Sequence, residues 1–178
     1  FTGTESVEVM FYQGLFDTTA WGKMYKSELF FGIRYPKGLL FEDLPTIYKV
    51  LLKADKVVYN DNQSYFYRQR HDSIEGQSFS KHKLDSCLKI MCLMDNDHSR
   101  LLPILRSYDC RMTSFAFHIL LQMPTNNSGR KLLEERIRIK RWSVLTDRRA
   151  RKKTRIVCLL SYVSFGLVQR VFNFTNKI

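Results

Sequence analysis

Residues 38–49 read G-L-L-F-E-D-L-P-T-I-Y-K, and the run continues V-L-L-K-A to Ala54. Ile47, Val50, Leu51 and Ala54 recur at helical spacing and share one face, so the pattern predicts an amphipathic helix over 44–54. Pro45 falls in its first turn, where the missing N–H has no partner to lose. Asp43 stands directly before this turn, and a carboxylate there accepts from the unpaired N–H groups of a helix start.

Upstream, Pro36 and Gly38 make 33–41 an extended loop, and Lys26–Phe31 is a short helix ending at Gly32. Thr18–Met24 is β-prone. Val7, Met10, Phe11 and Leu15 repeat at helical spacing, which predicts a helix closed near Gly14 whose start precedes Phe1. Downstream, Lys56–Tyr59 reads as a short strand, Asp61-Asn62 as its turn and Ser64–Arg68 (S-Y-F-Y-R) as a second strand. After Ser80 the strand signals stop. Leu84–Met94 and Leu101–Met123 are helical, and P-T-N-N-S-G (124–129) is a breaker. Lys131–Leu145 and Arg148–Phe172 follow as two long helices. The expected organisation is 1–80 as an α+β part, 81–128 as a helical extension and 129–178 as a basic tail.

The charge is unevenly placed. The chain carries a formal net charge of +12. Its segment 130–178 holds 14 Lys and Arg against Glu134, Glu135 and Asp147, a net +11, so everything before Arg130 is nearly neutral. A cationic segment on a neutral body points to an anionic partner. Apolar residues at 44% and charged residues at 26% exclude an intrinsically disordered chain. Cys87, Cys92, Cys110 and Cys158 form no C-x-x-C pair, which predicts free thiols in a reducing compartment and no structural zinc. No secretory signal is visible at the front, and a start at Phe1 predicts a fragment or a processed product.

The order of motifs from Thr19 to Ser73 carries a resemblance. T-A-W-G-K-M-Y-K-S-E-L-F is followed by G-L-L-F-E-D-L-P-T-I-Y-K, then a helix, a short strand and Y-F-Y-R-Q-R-H-D-S-I. This succession is similar to the second half of the catalytic domain in glycosyltransferase family 2. It covers roughly the first half of the chain well and the helical remainder loosely. The resemblance implies an α+β fold: the C-terminal remnant of a GT-A α/β domain with few short strands, followed by a mainly helical region. It also implies an inverting transfer from a nucleotide-sugar donor to a glycan or lipid-linked acceptor, in cell-surface or capsular polysaccharide synthesis. The family's nucleotide-binding βαβ region and its Asp-x-Asp do not precede Trp21. A divalent cation (Mg or Mn) is therefore implied for a full-length enzyme, while this chain alone is expected to be inactive.

By the same resemblance Asp43 is the catalytic base and Glu42 shapes the acceptor site. A base must take the proton of the attacking hydroxyl, and the helix dipole favours an ionised carboxylate there. Capping is the competing role, and the two are compatible. Trp21 offers a face for a sugar ring and Lys23 a cation for phosphate or hydroxyl; the alternative is a core Trp and a solvated Lys. Arg68, Arg70 and His71 follow the expected second strand. Arg70 falls where many relatives have a His near the metal or diphosphate, and a guanidinium can stabilise diphosphate charge. The alternative is a cationic loop in solvent. Asp95-Asn96-Asp97 mimics Asp-x-Asp but follows a helical pattern, so it reads as a polar helix end.

In the tail, Arg148, Arg149, Arg151, Lys152, Lys153 and Arg155 adjoin the apolar run 156–168. It is too short to span a bilayer, which needs about 20 residues. Ile156, Leu159, Leu160, Val163, Leu167 and Val171 are expected on one face. Such a face beside basic residues describes an interfacial helix on anionic lipid, and places the protein in the cytoplasm at the inner face of the cell membrane. Family 2 members that elongate lipid-linked glycans often end in a similar stretch. The alternative packs this face against Leu133, Ile137 and Trp142 in a helical bundle. Nucleic acid is not expected, because only Trp142 and Tyr162 offer stacking faces near the basic run. Against the transferase stands a second reading: a non-enzymatic helical module whose basic tail binds membrane or nucleic acid.

Overall fold

The computed structural model describes residues 1–62, 65–68 and 78–175. The regular elements are α1 (Gly3–Phe11), a 3-10 turn (Ser27–Phe30), α2 (Leu44–Leu52), α3 (Lys81–Asn96) and the short α4 (His98–Leu101). A second 3-10 turn (Leu102–Ile104) leads to α5 (Leu105–Gln122), α6 (Arg130–Thr146), α7 (Lys152–Leu160) and α8 (Phe165–Thr175). The chain divides into two compact units, Phe1–Ile104 and Leu105–Ile178. The stretch 81–128 is thus shared between them, with α3 in the first and α5 in the second.

Every regular element among the described residues is helical, which overturns the α+β expectation of a GT-A remnant with short strands. The reason is missing partners. A strand needs a ladder on at least one edge to satisfy its N–H and C=O groups. In the stretch 56–59, Val57 exchanges two backbone bonds with Phe1, its N–H donating to the Phe1 carbonyl at 2.7 Å and its carbonyl accepting from the Phe1 amino group at 2.9 Å. Among the described residues the pairing goes no further, and Val58 is 76% exposed. Residues 65–68 are likewise exposed and irregular; Ser64, the first residue of the other expected strand, lies outside the described residues. The β-prone stretch at 18–24 is irregular too.

In the first unit, α1 packs on α2 and α2 on α3. A capping box opens α1. In it the Glu5 N–H donates to Thr2 Oγ1, and the Thr2 N–H donates to Glu5 Oε2 at 2.8 Å. The helix therefore starts at Gly3, and the expected start before Phe1 is corrected. Gly3 is buried against the end of α2, where a Cβ would collide with the Leu51 and Ala54 carbonyl oxygens. Val7, Met10, Phe11, Ile47, Tyr48 and Val50 fill the α1–α2 interface, and Cys87, Ile90, Met91 and Met94 bring α3 onto it. Fully burying an aliphatic or aromatic side chain of this kind stabilises by roughly 1.5–3 kcal/mol, which is why the amphipathic stripe of α2 is legible in the sequence.

In the second unit, α5 is buried nearly all round, from Tyr108 through Phe115, Ile119 and Leu121, and forms its centre. The 124–129 breaker is the turn of an α5–α6 hairpin. Arg130 closes it from the far side, its Nη1 donating to the Leu120 and Met123 carbonyls at 3.1 Å each. Gln169 of α8 donates to the same Met123 carbonyl at 2.9 Å. These donors satisfy carbonyls left over at the end of α5. The tail expected as one helix over 148–172 is two, interrupted at 161–164 between α7 and α8.

Candidate functional site

The chain reaches α2 through a constrained loop. Phe41 adopts a left-handed backbone with φ at 61°. An aromatic residue occupies that region at a cost of about 1–3 kcal/mol. Two bonds hold the loop: the Leu40 N–H donates to Ser86 Oγ of α3 at 3.1 Å, and the Leu44 N–H to the Phe41 carbonyl at 3.2 Å. The turn delivers Glu42 and Asp43, both half-buried, to the start of α2.

Asp43 does not cap in the usual way. Its backbone is already helical, and its Oδ1 accepts from the adjacent Leu44 N–H at 2.8 Å, whereas a standard cap bonds a residue further into the helix. Its carbonyl takes the Ile47 N–H at 2.8 Å. The Glu42 carbonyl takes the Thr46 hydroxyl at 2.6 Å. The peptide groups of both acidic residues are thereby fixed to the first turn of α2.

Three groups from the preceding loop feel the charge of Asp43. Lys23 is mostly buried and donates to the Thr19 carbonyl at 2.6 Å, with Asp17 at 3.9 Å. Burial lowers its pKa against the opposing pull of Asp17 and Asp43. The Tyr25 hydroxyl is buried with no hydrogen-bond partner among the described residues, and burial, then Tyr35 and Asp43, push its pKa up. Tyr35 is raised by burial, then by Asp43 and Glu42. The Phe30 ring lies between the two tyrosines, edge-on to Tyr25 at 5.4 Å and stacked with Tyr35 at 6.4 Å. Asp43 thus acts electrostatically on one lysine and two phenols, and Glu42 on Tyr35 alone, in a partly dry setting.

The solvated-lysine alternative is therefore not what Lys23 does. Trp21 is not core either: it is 42% exposed and stacks on Tyr67 with ring centroids 5.1 Å apart and planes 3° apart. Arg68 is exposed next to that stack in sequence. Arg70 and His71 lie outside the described residues. Asp97, the second acid of the Asp-x-Asp mimic, accepts from the Tyr48 hydroxyl and pairs with Lys49, which is structural work at the end of α3. Among the described residues no group of three or more His, Cys, Asp or Glu is placed to hold a metal ion, so this donor set does not fit a divalent cation.

Tyr25, Tyr35 and the left-handed Phe41 are site features that the motifs do not announce. Tyr25 stands two residues after Lys23, the spacing that puts side chains of an extended segment on one side, and that spacing is the signal that could have found it. A positive φ at a non-glycine residue leaves no mark in composition or periodicity.

No protein-family model matches the chain, and no solved structure matches it. Over 56 residues the chain is 43% identical to a protein from Streptococcus pneumoniae serotype 4 (strain ATCC BAA-334 / TIGR4) named glycosyltransferase GlyA. The matched stretch is 32% of this chain and 8% of that protein. This partial likeness supports a glycosyltransferase relationship.

Proposed function

We propose that this chain is the acceptor-side part of an inverting, family 2-like glycosyltransferase, with Asp43 as the base. The observation that carries the reading is the placement of Asp43: half-buried, with its Oδ1 held by the Leu44 N–H at the start of α2, where its charge acts on Lys23, Tyr25 and Tyr35. The partial likeness to a glycosyltransferase supports the class of reaction.

In this reading an acceptor hydroxyl of a glycan or lipid-linked sugar attacks the anomeric carbon of a nucleotide-sugar. The new glycosidic bond forms as the bond to the diphosphate oxygen breaks, and the leaving diphosphate takes the electron pair. The hydroxyl proton passes to Asp43. The Leu44 N–H, held on Oδ1, fixes the plane of the carboxylate. Glu42 and the Tyr35 side chain border the acceptor, and exposed Trp21 gives a sugar ring a face on which to stack. Arg68, with Arg70 and His71, supplies cationic groups for the diphosphate. The divalent cation implied by the resemblance would be held by residues other than those described, and no step is routed through it.

The test is transfer by the complete gene product carrying Asp43→Asn, with circular dichroism as the control for folding. Loss of transfer in a folded protein is expected; wild-type activity removes Asp43 as base. The helical architecture of the described residues favours a second reading, a non-enzymatic helical module. Titrating the chain with acceptor oligosaccharide separates the two, because such a module has no reason to bind it through Trp21.

A further inference from the structure

α7 is turned over relative to the simplest packing of its sequence. Its buried positions are Thr154 and Cys158, continued by Ser161, a polar or small set facing the bundle. Its large aliphatic residues face out: Ile156 is 55% exposed, Leu159 56% and Val163, just beyond the helix, 76%. Lys152, Ile156 and Leu159 recur at intervals of four and three within the helix, so they form one stripe along the outer side, and exposed Val163 follows in the turn after it. Leu160 and Leu167, also expected on this face, are half-buried, so the outward stripe is narrower than the sequence pattern.

Two hydrogen bonds hold this orientation. Arg155 Nε donates to the Leu145 carbonyl at 3.0 Å, and Arg141 Nη1 to the Ser161 carbonyl at 2.7 Å, locking α7 antiparallel to α6. At the level these bonds define, α6 also leaves Ile139 (75%) and Trp142 (65%) exposed. Of the three residues that the bundle alternative names, Leu133 and Ile137 are buried and Trp142 is exposed.

Charge surrounds the same end of the hairpin. Arg148, Arg149, Arg151, Lys152 and Lys153 are all exposed at the start of α7. The last acidic residue of the chain, Asp147, is buried and takes the Arg149 N–H at 2.9 Å. No Asp or Glu follows it. No helix among the described residues is long and apolar enough to cross a membrane.

We propose that the outer stripe of α7 and the basic cluster at its start dock this unit on an anionic lipid bilayer. Ile156, Leu159 and Val163 enter the boundary between headgroups and acyl chains while the Lys and Arg side chains reach lipid phosphates. Charge selects this occupant. A second copy of the chain would bring the same cationic cluster to the contact and be repelled. Nucleic acid would satisfy the cations and leave the aliphatic stripe in water, whereas a bilayer answers both. This inference is independent of the transferase reading and concerns only the second unit.

Co-sedimentation of the full chain with phosphatidylcholine vesicles, with and without phosphatidylglycerol, tests it. Pelleting is expected only with phosphatidylglycerol. The variant Lys152→Gln/Lys153→Gln is expected to lower partitioning about 25-fold, from about fivefold per surface charge. The variant Ile156→Ser/Leu159→Ser/Val163→Ser, altered only at exposed positions, should keep its helical circular dichroism and lose binding by at least about tenfold. Absence of pelleting with phosphatidylglycerol overturns the proposal. So does wild-type binding by the triple serine variant, which would assign the interaction to charge alone. Sedimentation velocity showing a dimer that the triple variant abolishes would assign the stripe to self-association and equally overturn it.

Discussion

The Tyr48 hydroxyl donates to Asp97 Oδ2 across 2.6 Å, tying the middle of α2 to the end of α3. Lys49 reaches the same oxygen at 3.0 Å, so one carboxylate joins neighbouring residues of one helix to the cap of another. Burial works to raise the Asp97 pKa, but the bonds from Tyr48 and Lys49, with the charges of Lys49 and Arg100, lower it overall. A folded pKa below the unfolded one means the stabilisation is complete above the unfolded value of about 4. It is lost as pH falls through the folded pKa, where the native carboxylate is protonated. Urea unfolding followed from pH 7 down to pH 3 should show the midpoint falling below about pH 4. In Asp97→Asn that part of the fall should be absent, with stability at pH 7 lower by about 1–2 kcal/mol. An unchanged acid limb in the variant would remove Asp97 from the account.

Gly3→Ala should destabilise the first unit. The added methyl meets the carbonyl oxygens of Leu51 and Ala54, which are backbone atoms and cannot rotate away. Over-packing of this kind costs about 1–3 kcal/mol. Gly14→Ala is the control, because no atom lies within 4 Å of a Cβ built there. Thermal unfolding of the two variants should separate them clearly. Equal behaviour would mean that α1 can slide away from α2 at little cost.

What the sequence makes legible follows one divide. Elements stabilised by their own pattern are readable: α2 from Ile47, Val50 and Leu51, and the α5–α6 break from P-T-N-N-S-G. Elements that depend on a partner are not. The stretch 56–59 has the composition of a strand, yet among the described residues Val57 pairs with Phe1 alone, and β-propensity records the fit to a pleated surface that must be supplied from elsewhere. The capping box of Thr2 and Glu5 is present in the sequence, but the apolar periodicity through Val7 and Leu15 hides it by suggesting a helix begun earlier. In the tail, periodicity finds the aliphatic face of α7, but only tertiary bonds from Arg141 and Arg155 decide that this face points outward. At the site, Asp43 and Lys23 are found through linked motifs, while Tyr35 arrives through a loop path set by Phe41 and Gly38 at positive φ.

The role of Asp43 can be separated from its contribution to the fold. Asn at 43 keeps an oxygen to accept from the Leu44 N–H, so the helix start should survive and the thermal midpoint should change little. An amide cannot take up the acceptor proton. Transfer by the complete gene product should therefore fall by about two to four orders of magnitude, the usual contribution of a general base. The fall should appear in kcat with KM nearly unchanged. A change confined to KM would make Asp43 a positioning residue.

Trp21→Ala should behave in the opposite way. The indole is 42% exposed and stacked only at the surface on Tyr67, so its removal should cost little stability. Loss of a stacking face for a sugar should raise KM for the acceptor, by an amount corresponding to about 0.5–1.5 kcal/mol, with kcat preserved. An acceptor KM equal to wild type would mean that the Trp21–Tyr67 pair is a loop clasp.

The four cysteines should differ sharply toward an alkylating reagent. None is in a disulfide among the described residues; Cys87, Cys110 and Cys158 are buried and Cys92 is exposed. The thiolate is the reacting species, so whatever raises a thiol pKa slows the reaction. Burial, with the Asp147 charge and hydrogen bond, raises Cys110 to about 12. Burial raises Cys158 to about 12 as well, against the opposing pull of Arg141. At pH 8 only a minute fraction of either is ionised, so iodoacetamide should label Cys92 rapidly in the native chain and the other three only after denaturation. Mass spectrometry of the labelled protein at intervals reads this directly. Early labelling of Cys110 or Cys158 would mean that the second unit opens locally around α7, which would also free the stripe that the Arg141 and Arg155 bonds hold outward.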